Sequence, residues 1–123
     1  MVPRKSAGLK VPVLYKIMSK QEWKTAQARG IYEGSEVDRK DGFIHLSAAR
    51  QVRATAEKHF ANRPDLVLVS ILEKNLDSSL KWEVSRGGNL FPHVYGALQL
   101  NAISEVVPLP LVNGAYQFPE GLP

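Results

Sequence analysis

The chain contains no cysteine, which excludes a disulfide framework, a thiolate metal site and a cysteine nucleophile. It also lacks any long apolar run. Its longest apolar stretches reach about seven or eight residues, against the ~20 needed to cross a bilayer. The N-terminus carries basic residues but no apolar segment followed by a small-residue cleavage site, so a cytoplasmic protein is expected, with no membrane partner. Three catalytic signatures are missing as well. There is no G-x-x-x-x-G-K-[ST] loop, the lone Gly87-Gly88 pair does not make a dinucleotide fingerprint, and no G-x-S-x-G elbow presents a serine.

Basic charge is scarcer than the total suggests. The net charge is +4, from 16 basic and 12 acidic side chains, but Arg4, Lys5 and Lys10 lie in the first twelve residues with no acidic neighbour. Without them 13 basic face 12 acidic groups. A nucleic-acid footprint needs basic residues gathered on one face to displace counterions. None of the helices read below has such a stripe, so no nucleic-acid partner is expected.

What is present is enough for one domain. A chain of 123 residues buries roughly two-thirds of the surface its unfolded form exposes. Residues 1–12 show no periodicity and read as a flexible tail, 13–112 as a single α+β domain, and 113–123, with Pro119 after Pro108 and Pro110, as an extended C-terminal arm. Val13–Met18 reads as a strand. Ser19 and Glu22 form a capping box opening a helix over 20–29, which Gly30 ends in the left-handed conformation. Residues 31–40 read as a polar connection, Asp41-Gly42 as a tight turn, and Phe43–Leu46 as a short strand. Ser47 then caps a helix over about 48–60, with Ala49, Val52, Ala56 and Phe60 on one face and an Arg53–Glu57 pair opposite. Leu66–Leu72 reads as a strand buried on both faces. Leu80–Val84 and the segment from Phe91 read as strands separated by a break at Arg86-Gly87-Gly88, and a last strand is expected over 102–107.

The densest polar block runs from Trp82 to Gly96. A surface hairpin with Trp82 and Phe91 as core anchors is the plain alternative to a binding loop here. His45, between Ile44 and Leu46, reads either as a satisfied core histidine or as a donor, acceptor or proton carrier at a strand end. His59, at a helix end beside Phe60, reads as part of a solvated face. His45, His93 and Glu83 together match the two-histidine, one-carboxylate set of non-haem iron. Their spacing does not demand a metal, and no metal ligand is assigned.

With Asp41-Gly42-Phe43-Ile44-His45-Leu46-Ser47 and Phe91-Pro92-His93-Val94-Tyr95-Gly96 in one chain, the sequence resembles the bacterial family known as domain of unknown function 952. The resemblance extends from about Leu14 to Leu109 and takes in Trp23, the central apolar strand and Glu83. That family is similar in turn to the ADP-ribosyltransferase fold, which implies a mostly antiparallel, split sheet with two main helices and a cleft for NAD. It also ties the two polar segments together as one pocket for a small anionic ligand. The set implied is His45, Glu83 and His93 as catalytic residues, with Lys16, Ser47, Trp82, Arg86 and Tyr95 binding the ligand. An NAD cleft needs cationic donors, a flat wall and a carboxylate for oxocarbenium-like charge, to which Arg86 and Lys16, Tyr95 or Trp82, and Glu83 would answer, while His45 or His93 donates to the ribose. The chain departs from the transferase pattern. Its first strand has no H-G-[ST] or arginine, its second offers His45 in place of tyrosine or serine, and no Q-x-E or E-x-E is present. Two readings from other classes stand beside this one: a non-catalytic protein-interaction module using the same loop and the C-terminal arm, and a metal-dependent enzyme using His45, His93 and Glu83.

Overall fold

The computed structural model of the chain describes residues 12–122 apart from the Arg86 side chain, so all of the expected tail but Pro12 lies outside the described residues. The central element is β5, Leu66–Leu72, whose β-branched run suits a pleated, doubly covered strand. It pairs antiparallel along its whole length with β1, Val13–Ser19, from Val13 opposite Leu72 to Ser19 opposite Leu66. On its other side lies β9, Ile103–Pro108, with a register shift between Ser70 and Ile71. β4, Ser47–Ala48, extends the far edge of β1, giving the order β4-β1-β5-β9.

Alternation along β5 divides the interior in two. Val67, Val69 and Ile71 join Leu14 and Met18 in the larger cluster, whereas Leu66 and Leu68 join Ile17 beneath α3, Val52–His59, whose Val52 and Ala56 are buried. Burying each such large aliphatic side chain stabilises by about 1.5–3 kcal/mol before entropy is counted.

The helix α1, Lys20–Arg29, begins with the expected capping box and ends at Gly30 with φ +78°. Residues 31–40 depart from the polar connection read from sequence. They hold β2, Ile31–Tyr32, and most of a third helix, α2, Glu36–Asp41, with its own capping box between Ser35 and Asp38. Among the described residues there are thus three α-helices where two main ones are expected. The Asp41-Gly42 turn is the end of α2, because Gly42 takes φ +88° and returns its amide to the Asp38 carbonyl at 2.9 Å. β2 pairs with β8, Leu98–Gln99.

A second sheet, ordered β3-β7-β6, is built from β3, Ile44–His45, β6, Leu80–Val84, and β7, Leu90–Val94. The break at 86–88 is the turn joining β6 to β7, with Gly87 and Gly88 at φ +69° and +79°. One face of this sheet turns Ile44, Val94, Leu80 and Trp82 toward the larger core. Residues paired directly across an antiparallel ladder share a face, so His45, His93, Glu83 and Phe91 lie together on the other. Pro92 accepts from the Leu46 amide at 3.0 Å but has no N–H to return. The ladder stops there, and the chain crosses to β4 and the first sheet.

Ser47 is therefore a strand residue opposite Tyr15 and not a helix cap. α3 starts five residues later, with Gln51 in the capping position and no side-chain cap bond. Gln51 instead accepts from the Ala48 amide at 2.9 Å and donates to the Leu90 carbonyl at 2.8 Å, joining the two sheets. At the C-terminus, where an extended arm is expected, Asn113 and Gly114 adopt positive φ, 51° and 81°. That is the backbone of a two-residue hairpin, and it joins β10, Leu111–Val112, to β11, Ala115–Tyr116. The Tyr116 hydroxyl donates to the Phe60 carbonyl and accepts from the Arg63 amide, fastening the hairpin beside α3. Every strand pairing described is antiparallel. Among the described residues no helix is long and apolar enough to cross a membrane.

Candidate functional site

The site is built around Asp38, a residue with no role in the sequence reading. Its place follows from the capping box of α2, in which Ser35 Oγ accepts from the Asp38 amide at 3.1 Å and Asp38 Oδ2 accepts from the Ser35 amide at 2.9 Å. The same oxygen accepts from Lys16 Nζ at 2.8 Å. Oδ1 lies 3.1 Å from the His45 amide and 2.7 Å from His45 Nδ1. Four donors fill the acceptor sites of an ionised carboxylate. Burial is the largest single influence on Asp38 and pushes its pKa up, but the hydrogen bond from His45, the Lys16 ammonium and the Ser35 amide together outweigh it and hold the carboxyl well below its usual range. Gly34 makes the approach of α2 possible. At its φ of +105° a Cβ would lie 2.9 Å from Asp38 Cβ.

Lys16 also donates to the His45 carbonyl at 3.0 Å. Its cation, assigned from sequence to a ligand, is committed within the protein. His45 has a carboxylate at each end, with Nδ1 on Asp38 and Nε2 at 3.0 Å from Asp41 Oδ2.

His93 lies directly opposite His45 across the β3–β7 ladder, with ring centroids 5.5 Å apart. Its Nδ1 is 2.7 Å from Glu83 Oε1, which also accepts from the Tyr95 hydroxyl at 2.8 Å. Those two bonds, His93 first, hold Glu83 below the ordinary carboxylate range, and the second raises Tyr95 in turn. An ionised Glu83 can only accept, so the proton of the neutral His93 ring sits on Nδ1 and Nε2 keeps a lone pair. His93 is 4% exposed, and Nε2 is the buried side-chain polar atom left without a partner among the described residues. Phe43 stacks on the His93 ring at 4.1 Å and 25°, and its ring also lies 4.6 Å from His45 and 5.2 Å from Tyr95.

A cavity of about 1060 Å³ opens beside this pair, and its wall includes Lys16, Asp38, His45, Ser47, Phe91 and His93. Of the residues assigned from sequence, Lys16, His45, Ser47 and His93 thus share the wall. Glu83 and Tyr95 stand behind His93, touching it or its partner. Ser47 Oγ lies 3.0 Å from Thr55 Oγ1. Trp82 is placed on the opposite face of β6 and packs into the larger core, because residues 82 and 83 alternate across the strand. The Arg86 side chain lies outside the described residues. Asp38 had no place in the sequence reading, whereas Asp41 and Phe43 lay in the segment tied to the pocket but had no role assigned there. The Ser35-x-x-Asp38 capping pattern was the available signal for the first.

His45, His93 and Glu83 do not converge on a common centre, since each histidine turns Nδ1 to a different carboxylate. Among the described residues no group of three or more His, Asp or Glu is arranged to hold a metal ion. The arrangement offers a lone pair at His93 Nε2 beside the ring of His45, the equipment for orienting a hydroxyl or moving a proton.

No curated protein matches the chain. The crystal structure of protein CC0527 from Caulobacter crescentus is similar to it, with 45% identity over 85% of this chain and 93% of that one and a TM-score of 0.82. The solution structure of CC0527 agrees, with 44% identity over 85% and 90% of the two chains and a TM-score of 0.76. The family model described as "Protein of unknown function (DUF952)" matches residues 17–106, and the chain belongs to that family.

Proposed function

We propose that the cavity beside His45 and His93 binds a small anionic ligand of the nucleotide type, NAD in its most specific form, and that the chemistry is cleavage at the nicotinamide–ribose bond. The observation that carries this reading is the buried, unpartnered Nε2 of His93, a residue of the cavity wall. Leaving a buried polar atom unpaired costs about 1–3 kcal/mol, which a ligand donor such as a ribose hydroxyl would recover. The cavity volume is at the upper end of the ~300–1,000 Å³ usual for small-molecule sites, as a dinucleotide requires. Two antiparallel sheets meeting at β3 and β4 are compatible with the split sheet of the ADP-ribosyltransferase fold. Phe91 and Tyr15 on the wall offer flat surface for the nicotinamide. As the bond breaks, its electron pair leaves with the nicotinamide nitrogen and the sugar C1′ becomes positive. The ionised Glu83 behind His93 favours that charge, and water or an acceptor hydroxyl closes the bond to C1′ while its proton passes to solvent water.

Thermal denaturation with NAD, ADP-ribose and nicotinamide tests the proposal. At a hundred times its dissociation constant a ligand stabilises by ~2.7 kcal/mol, a shift of several degrees in a domain of this size. His93→Asn, which keeps a donor toward Glu83 but removes Nε2, is expected to abolish that shift while the unliganded protein stays folded. No shift with any of the three ligands would sink the reading.

A further inference from the structure

We infer that Asp41 stands in for an anionic group of the ligand, and that in the bound protein a phosphate oxygen takes its place at Nε2 of His45. This rests on reading the cavity as a site for an anionic, nucleotide-type ligand, and it names the atom that receives the anion.

The two carboxylates on His45 are unlike. Asp38, 2% exposed at its side chain, is saturated by Lys16, by the amides of Ser35 and His45 and by Nδ1 of the ring, so it cannot leave. Asp41 is 42% exposed and lies on the cavity wall, and its side chain meets Nε2 at 3.0 Å. An exposed pair of this kind is held by about 0.2–1 kcal/mol, so a better acceptor displaces it.

The helix gives no reason for an acid at this position. Asp41 is the last residue of α2, after Arg39 and Lys40, which suit that end. A carboxylate there meets the negative pole of the helix dipole, at a cost of about 0.3–1 kcal/mol. Among the described residues its compensation is the contact with His45.

Geometry gives the ligand class. Lys16 is spent on Asp38, whereas Nε2 of His45 has its contact with the exposed Asp41. When Asp41 swings into solvent, that ring nitrogen is left facing the cavity without its carboxylate oxygen. A planar ring N–H at that place fits a phosphate oxygen. His93 Nε2 differs in kind, since as a lone pair it accepts from a hydroxyl. The two histidines thus read different ends of a sugar phosphate.

Titration calorimetry of the full chain with ADP-ribose and with inorganic pyrophosphate, repeated on Asp41→Asn and on the remote control Glu120→Gln, decides the matter, with the ¹⁵N resonance of His45 Nε2 followed alongside. Removing the internal competitor is expected to tighten phosphate binding about two- to fivefold in Asp41→Asn and to leave Glu120→Gln unchanged. The Nε2 resonance should move on saturation. Equal tightening in both variants would reduce the effect to net charge and overturn the inference. Wild-type binding with no gain in Asp41→Asn would overturn it too, while leaving the proposed ligand class intact. If neither the wild type nor Asp41→Asn binds either probe, both the inference and the functional proposal fall. Tightening confined to ADP-ribose places the phosphate of a nucleotide at His45, and tightening of both probes places any diphosphate there.

Discussion

The two histidine–carboxylate pairs of this protein are built in opposite senses. In Asp38–His45 the acid is sealed, at 2% side-chain exposure, and the imidazole reaches outward at 34%. In Glu83–His93 the imidazole is sealed, at 5%, and the acid lies at the edge at 37%. Both contacts are 2.7 Å, so distance does not distinguish them. The buried member decides the role. A buried carboxylate must have its charge fully answered, and Asp38 spends its whole bonding capacity on α2, β1 and β3. A buried neutral imidazole needs only one fixed partner, and His93 keeps Nε2 for something else. Structural weight falls on the first pair, and the proposed chemistry on the second.

The contrast can be broken most severely at Asp38. Asp38→Asn leaves the Lys16 ammonium buried without its counter-charge, and loss of one partner from such a pair costs about 3–5 kcal/mol, to be measured by urea denaturation at neutral pH. A loss below about 1 kcal/mol would mean that Asp38 does not hold the site together. The same residue should dominate the acid limb of stability. A carboxyl whose folded pKa is depressed contributes stability that is fully present above its unfolded value, about 3.9, and is lost as pH falls toward the folded one. Wild-type stability should therefore drop steeply below about pH 4, and Asp38→Asn should flatten that slope. Next in size is Ser35→Ala, which removes the cap of α2 for about 1 kcal/mol and loosens His45 with it. Glu83→Gln should have the smallest effect on stability, smaller than Ser35→Ala, because the group is at the surface. Its signature is the ring it orients. Without an obligate acceptor at Nδ1, the ¹⁵N shifts of His93 should show a larger fraction protonated at Nε2. An unchanged tautomer in Glu83→Gln would show that Glu83 does not set it.

Much of the frame was legible because it rests on local rules. The capping box and Gly30 placed α1 at residues 20–29, and the run at 66–72 identified a strand covered on both faces, as β5 is. Where local rules compete, strand pairing overrides them. Ser47 before a helical pattern looked like a cap, but pairing with Tyr15 drew it into β4 and moved the start of α3 to Val52. α2 was passed over because Glu36–Asp41 has no apolar stripe, although its capping box was in the sequence. Asn113-Gly114 was likewise a hairpin signal within the stretch read as an arm.

The candidate site divides along the same line. By itself the sequence determined which side chains capable of chemistry the chain possesses, and through strand alternation that Glu83 and Trp82 must part. Only the tertiary structure decided that His45 faces His93, 48 residues away, because register between strands is fixed by where the core buries its apolar face. It alone also turned Asp38 from a polar loop residue into the hub, since the charge that justifies burying it comes from Lys16 on β1. A carboxylate's role depends on its partners, and those come from distant parts of the chain.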